Sequence, residues 1–384
     1  SGTFEGVRFQ NNGAFTGGGI MVGHMSTATL IRCQFLENSV WGTGGSYGGG
    51  AISVYEDSQI KVQSCLMFNN SALFTGGGIE VMDSSAIVSD TVITSSSVAE
   101  SNGAGIHLDN STLIISNVTL DHNAGSMNGA AIAATSSSSL SMSSSEAVKN
   151  QAGEAGGGIY VDDSSTGEIV LTSFSSNMAN SKSTGGGVIL VDDTKLRFTN
   201  CTFESSRSEA DGGAIYVRGR DGILYLTQSK FEDNEATNGG AIYLDTGAQA
   251  ALIECAVISN RALSKKGGGI YVKGGSSLTI SDSNLLQNSV SDIQEGMQVI
   301  MDVYVDNSGS LFIAENRTIG SLSYEAIFKE AQATVNKGCS RGQFGPLTTE
   351  TVGDLCSLVS PPSGSDYCAA NEEGGFLPYL FSYG

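Results

Sequence analysis

Proline is almost absent from this chain, with four among 384 residues and all of them after Cys339. The long stretch before them keeps its backbone N–H groups available for pairing, which suits a stack of short strands. Basic residues are scarce as well. Nineteen Lys and Arg stand against thirty-nine Asp and Glu, a formal charge of −20 that disfavours nucleic acid and anionic lipid as partners. No apolar run approaches the length of a membrane span. Histidine is limited to His24, His107 and His122, so few side chains are on hand as catalytic bases. Between Thr3 and Leu311 no segment has the length or the i, i+3, i+4 spacing of a core helix. The chain also lacks an initiating Met and a signal peptide and opens inside a repeat at Ser1, as expected of a processed or incomplete product.

What is present is a recurrence. Eleven times a small-residue cluster such as GGGI or GGAI runs into a short apolar stretch, and the last instance is degraded to MDVYV. The apolar residue after each cluster is Ile20, Ile52, Ile79, Ile106, Ile132, Ile159, Val188, Ile215, Ile242, Ile270 and Val303. Successive gaps are 32, 27, 27, 26, 27, 29, 27, 27, 28 and 33 residues, a period that means a solenoid.

Within one repeat the pattern alternates as strands do. Ile242 and Leu244 point one way, a turn follows at Asp245 to Gly247, Ala251 and Ile253 form a second run, and Cys255, Val257 and Asn260 complete a third. Parallel strands stacked coil on coil around inward Ile, Val, Leu and Phe predict an all-β, right-handed parallel β-helix of about 11 coils with three short strands per coil. Paired glycines before the first strand imply a bend where a Cβ would clash with the next coil. Asn12, Asn38, Asn70, Asn123, Asn150, Asn177, Asn234, Asn260 and Asn288 share one site, with Ser95 and Ser206 replacing it in two coils. Stacked Asn side chains are expected to form a hydrogen-bonded ladder.

The pairing of GGAI-type clusters with an F-x-x-N box, as in Gly212 to Ile215 with Phe231 and Asn234, or Phe35 with Asn38 and Phe174 with Asn177, resembles the repeat of the chlamydial polymorphic outer-membrane proteins. The resemblance covers roughly Phe4 to Asn288 and implies a β-helical adhesin passenger. The outer-membrane barrel of that family has no counterpart in this sequence, so a membrane-anchored role does not carry over.

The β-helix is expected over residues 1–318 and a C-terminal cap over 319–384. In the cap, Ile327, Ala331 and Val335 have helical spacing within Ser323 to Asn336, and Gly338 is placed as a stop, which predicts a short helix closing the last coil. Cys339, Cys356 and Cys368 lie in the irregular, disulfide-braced segment that follows. The final FLPYLFSYG is a candidate contact strand. Cys33, Cys65, Cys201 and Cys255 take one inward position and are expected to pack as thiols, although Cys33 and Cys65, in neighbouring coils, are close enough for a disulfide. Five N-x-S/T sequons, at Asn69, Asn110, Asn117, Asn200 and Asn316, point to a secreted glycoprotein.

Three features could carry function. Acidic residues gather after the first strand, and Asp162, Asp163, Asp192 and Asp193 in adjacent coils could supply oxygen ligands for calcium or a pair of catalytic carboxylates, though a solvated acidic edge is the plainer reading. His107 stands outward on the first strand between Glu80 and Ala133 without a partner base or acid that would assemble an active site. Tyr216, Tyr243, Tyr271 and Tyr304 fall at the same outward position in four consecutive coils and predict an exposed phenol ladder for sugars or a protein partner. These features favour an extracellular structural or adhesive glycoprotein that binds cell-surface glycans or proteins, or itself end to end or laterally as a fibre, and that is not an enzyme. The alternatives are a carbohydrate-active β-helix enzyme, lyase or hydrolase, and a calcium-dependent carbohydrate-binding module.

Overall fold

In the computed structural model the chain winds into parallel coils stacked in register. The structure describes residues 1–42, 48–181, 185–190, 194–264, 266–291, 298–306, 308–314, 327–329, 334–338 and 344–346. Through Ser291 each coil contributes four strands where the alternation suggested three. In one coil Ile242–Asp245 belongs to sheet D, Gln249–Ile253 to sheet A, Ala256–Ile258 to sheet B and Arg261–Ala262 to sheet C. Among the described residues sheets A, B, C and D hold 14, 11, 12 and 12 strands. The strand that sequence alternation missed is that of sheet C, because two residues are too few to show a period.

Left-handed residues make the corners. In the same coil these are Thr246 (φ 58°), Glu254 (φ 53°), Ser259 (φ 57°) and, before the next sheet D strand, Gly267 (φ 60°). The glycine pair has two separate reasons. Gly239 needs its φ of +57°, whereas a Cβ on Gly240 would overlap the carbonyl oxygen of Gly268 in the next coil. The second glycine is therefore required by the stacking itself.

The interior is a single apolar column to which sheets D, A and B contribute residues such as Ile242, Leu244, Leu252 and Val257. Phe174, Phe203 and Phe231 stack along it with centroid spacings of 5.0 and 4.6 Å. At the corners, polar ladders replace apolar contact. Asn150 Oδ1 accepts from Asn123 N and Nδ2 at 3.0 and 2.9 Å, and Asn150 Nδ2 donates to Asn177 Oδ1 at 3.0 Å and to Leu120 O at 2.9 Å. Among the described residues the ladder ends on Asp302, whose Oδ1 accepts from Asn288 Nδ2 at 2.6 Å.

The ladder position in the fourth coil is Ser96, not Ser95. Ser95 holds the left-handed corner (φ 56°), while Ser96 N donates to Asn123 Oδ1 at 3.0 Å. Serine is too short to reach back to Asn70, and Ser96 Oγ is buried without a partner. Ser96→Asn should join the run ending at Asn70 to the one starting at Asn123 and raise stability by about 1 kcal/mol, read as a higher denaturation midpoint at unchanged m-value. A lower midpoint would mean that the site has no room for the amide.

A second ladder occupies the A–B corner and explains the cysteines. Cys65 Sγ accepts Cys33 N–H at 3.3 Å, Cys65 N donates to Thr91 Oγ1 at 3.2 Å, and Cys201 N donates to Ser229 Oγ at 3.2 Å. Cysteine here is a hydroxyl substitute as well as an apolar filler. Cys33 and Cys65 are free thiols. Both Sγ atoms point toward the preceding coil, to Phe4 O and Leu30 O, and so do not face each other as a disulfide requires. Burial pushes the thiols of Cys65, Cys201 and Cys255 up to about 11, so they stay protonated at neutral pH.

The helix expected over Ser323 to Asn336 is overturned. Ile327–Lys329 extends sheet D beside Val303–Val305, and Thr334–Gly338 extends sheet A beside Ser310–Ala314. The eight-residue step from Ile327 to Val335 is also the step from Ile270 to Leu278 and from Val303 to Leu311, so it carries the coil register as readily as two helical turns. Phe344–Pro346 then pairs antiparallel with Thr334–Gly338. Cys339, Cys356, Cys368, Asn316 and the final apolar segment lie outside the described residues. Among the described residues no helix is long and apolar enough to cross a membrane.

Candidate functional site

The outer face of sheet D was expected to be open, and it is covered. Tyr216, Tyr243, Tyr271 and Tyr304 are only 5, 2, 3 and 6 % exposed. They do stack in register, with centroids 5.2, 5.1 and 5.0 Å apart, the first pair parallel and the next two edge-on. The cover comes from the connectors between sheets C and D. These connectors pair with one another from coil to coil, as in the Asp211–Asn238 bridge and the Ser264 N to Thr237 O bond of 2.8 Å. They carry Ala155 and Met301 against the rings. The same layer buries Ser53, Glu80, His107 and Ala133 further up the face. The strip is a second, lateral core, and the exposed phenol ladder is corrected accordingly.

Near the end of this strip the cover opens. A cavity of about 340 Å³ is lined by Asp211, Asn238, Tyr243, Ser264, Lys266, Tyr271 and Lys273. Sheet D supplies the two tyrosines, and the connectors supply Asp211, Asn238, Ser264 and Lys266. Lys273 Nζ donates to the Tyr243 hydroxyl at 3.1 Å and stands 3.7 Å from Asp245 Oδ2. Lys266 Nζ donates to the Tyr271 hydroxyl at 3.4 Å and lies 5.5 and 5.3 Å from the ring centroids of Tyr271 and Tyr304. Asn238 Nδ2 donates to Asp211 Oδ1 at 2.6 Å, and the Ser264 hydroxyl donates to Asn238 Oδ1. Burial raises the Asp211 carboxyl, against the opposing hydrogen bond from Asn238 and the charge of Lys273. Burial, and then the charges of Asp211 and Asp245, hold Tyr243 far above its ordinary value, so it remains a neutral phenol. The cavity is a connected network of donors and acceptors in which Asp211 is the one carboxyl of the lining.

Two of its residues, Tyr243 and Tyr271, were flagged by the repeat register; the other five were not. Asp211, Asn238, Ser264 and Lys266 sit in connectors whose course depends on the missed sheet C strand. Of the acidic candidates, Asp192 and Asp193 lie outside the described residues, Asp162 Oδ1 accepts the N–H of Asp163 at 2.8 Å, and Asp162 Oδ2 accepts the Tyr160 hydroxyl at 2.5 Å. Among the described residues no three His, Cys, Asp or Glu side chains converge as a metal group. Asn69, Asn110, Asn117 and Asn200 are all exposed, at left-handed corners with φ of 54, 47, 54 and 52°.

Comparison with known proteins agrees with this architecture. The sequence matches the family described as right handed beta helix region over residues 1–112, 86–224 and 181–339. The chain belongs to that family, and its coil is right-handed. No curated protein and no solved structure matches it.

Proposed function

We propose that this β-helix is an extracellular, non-catalytic binding rod of the adhesive kind, which holds a saccharide at the cavity beside Tyr243 and Tyr271. The observation that carries the reading is the cavity itself, where hydroxyl, amide, carboxyl and ammonium groups converge on a rigid sheet. Polyhydroxylated ligands are recognised by such mixed polar sets placed on a preformed surface. The resemblance of the GGAI and F-x-x-N repeats to chlamydial adhesin passengers supports the adhesive side, and the exposed sequon asparagines support the extracellular one. A carbohydrate-active enzyme would need a carboxyl free to move a proton. The one in this lining, Asp211, is tied to Asn238 Nδ2 at 2.6 Å and to the Tyr243 hydroxyl, which favours binding over turnover.

A glycan array probed with the full chain tests this. Tyr243→Phe keeps the ring packing and removes the hydroxyl that joins Lys273 to Asp211. Affinity for the glycans bound should fall about five- to tenfold, near 1 kcal/mol. Absence of any bound glycan, or appearance of cleaved products, would overturn the reading.

A further inference from the structure

We infer that the cavity recognises its saccharide through a single acidic substituent, a carboxylate or a sulfate ester, held by Lys266 and Lys273. This rests on the saccharide-binding reading and names the group that the cavity selects. The ground is an inventory of donors and acceptors. Asn238 Oδ1 is already engaged by the Ser264 hydroxyl, and the Asp211 carboxyl by Asn238 Nδ2 at 2.6 Å and by the Tyr243 hydroxyl. The phenol oxygens of Tyr243 and Tyr271 accept from Lys273 and Lys266 at 3.1 and 3.4 Å. Each of these acceptors thus already has at least one donor from within the cavity.

The donors are not used up in the same way. Each ammonium carries three N–H groups and no acceptor, and each spends one on a tyrosine. Lys273 also faces Asp245 at 3.7 Å, while Lys266 is fixed over the rings of Tyr271 and Tyr304. Among the described residues, what the cavity presents to a newcomer is therefore weighted toward cationic donors. An oxyanion meets them with short, charge-assisted bonds, and a neutral hydroxyl does so only weakly.

The rest of the molecule limits the ligand to one such charge. The chain carries −20 overall, so a polyanion is repelled over a screening length of about 10 Å. One acid group on an otherwise neutral sugar escapes most of that repulsion and still reaches both lysines. The cavity volume of about 340 Å³ is at the small end for ligand sites and suits one sugar unit.

The test titrates the full chain, by calorimetry or by chemical-shift changes, with methyl glucuronoside, its methyl ester, methyl glucoside and glucose 6-sulfate. The acid, the sulfate or both should bind at least about tenfold tighter than the two neutral sugars. Lys266→Met and Lys273→Met keep the aliphatic stems, and in each the preference should shrink to about twofold while neutral-sugar binding persists. Preference for only one acidic sugar supports the inference and identifies the charged group. Equal binding of acidic and neutral sugars by the wild-type chain overturns it and leaves the saccharide reading standing. So does an undiminished preference in both methionine variants. If none of the four sugars binds the wild-type chain, both readings fall.

Discussion

Asn150→Ala lowers the stability of the rod by about 2–4 kcal/mol, far more than truncation of an exposed polar side chain. The change strips one rung from the middle of a ladder. It leaves the N–H of Asn123 and one N–H of its Nδ2 without their acceptor, and takes one donor each from Leu120 O and Asn177 Oδ1, bonds of 2.9–3.0 Å, while Asn123 Nδ2 keeps Ile93 O and Asn177 Oδ1 keeps the backbone N–H of residue 150, both at 3.1 Å. All of these groups are buried, water does not reach them, and each unmet one costs about 1–3 kcal/mol, only partly recovered by relaxation. Asn150→Asp is no remedy. It keeps the acceptor for Asn123 but sets carboxylate oxygens against Leu120 O and Asn177 Oδ1. Among the described residues aspartate is found in this column only at Asp302, where burial raises its carboxyl above the usual range. Hydrogen exchange of the intact chain measures the effect where it arises, since coils depend chiefly on their neighbours. Protection should collapse at Asn123 and Asn177 and hold at Asn260. A loss under about 1 kcal/mol would show that the ladder is incidental to the fold.

The ladder and the coil register were legible because repetition amplifies them. An Asn at one offset means little, but nine at the same offset identify a corner, and Ile242 over Ile270 over Val303 gives the register directly. Facing toward the core was legible for the same reason. Exposure of the opposite face was not. Tyr243 does point away from the central column, yet strand alternation reports only which side a residue takes and not what lies beyond it. That depended on the part of each C–D connector ahead of its glycine cluster, which varies in length and composition and leaves no periodic trace. Ser95 and Ser96 were confused because adjacent serines differ in backbone conformation alone. The helix expected near Ile327 failed because a step of eight satisfies both a helix face and the offset between sheets D and A.

The buried strip also governs how the rod responds to pH, through two groups whose effects oppose each other. Glu80 and His107 are register partners on sheet D. Burial pushes the Glu80 carboxyl up to about 7 from 4.5, against hydrogen bonds from Thr75, Gly48 N and Ser53 Oγ, the last two at 2.9 and 3.2 Å. Burial brings His107 down to about 4 from 6.5, with Asp109 opposing, and leaves its Nδ1 without a partner. Folded Glu80 holds a proton that the unfolded chain releases, so its contribution is complete below pH 4.5 and is lost as pH rises through 7. Folded His107 refuses a proton that the unfolded chain takes, so its contribution is complete above pH 6.5 and is lost as pH falls through 4. Each amounts to about 3 kcal/mol. Between pH 4.5 and 6.5 the two slopes nearly cancel. Glu80→Gln therefore exposes the histidine alone: stability should fall by about 3 kcal/mol from pH 7 to pH 4, while at pH 8 the variant exceeds wild type by a similar margin. His107→Asn should show the reverse slope, losing stability from pH 4.5 to 7. Denaturation midpoints across that range decide the matter, because each variant is compared with itself and packing changes drop out. Parallel curves for wild type and both variants would mean that water reaches the pair and that the connectors do not seal this face.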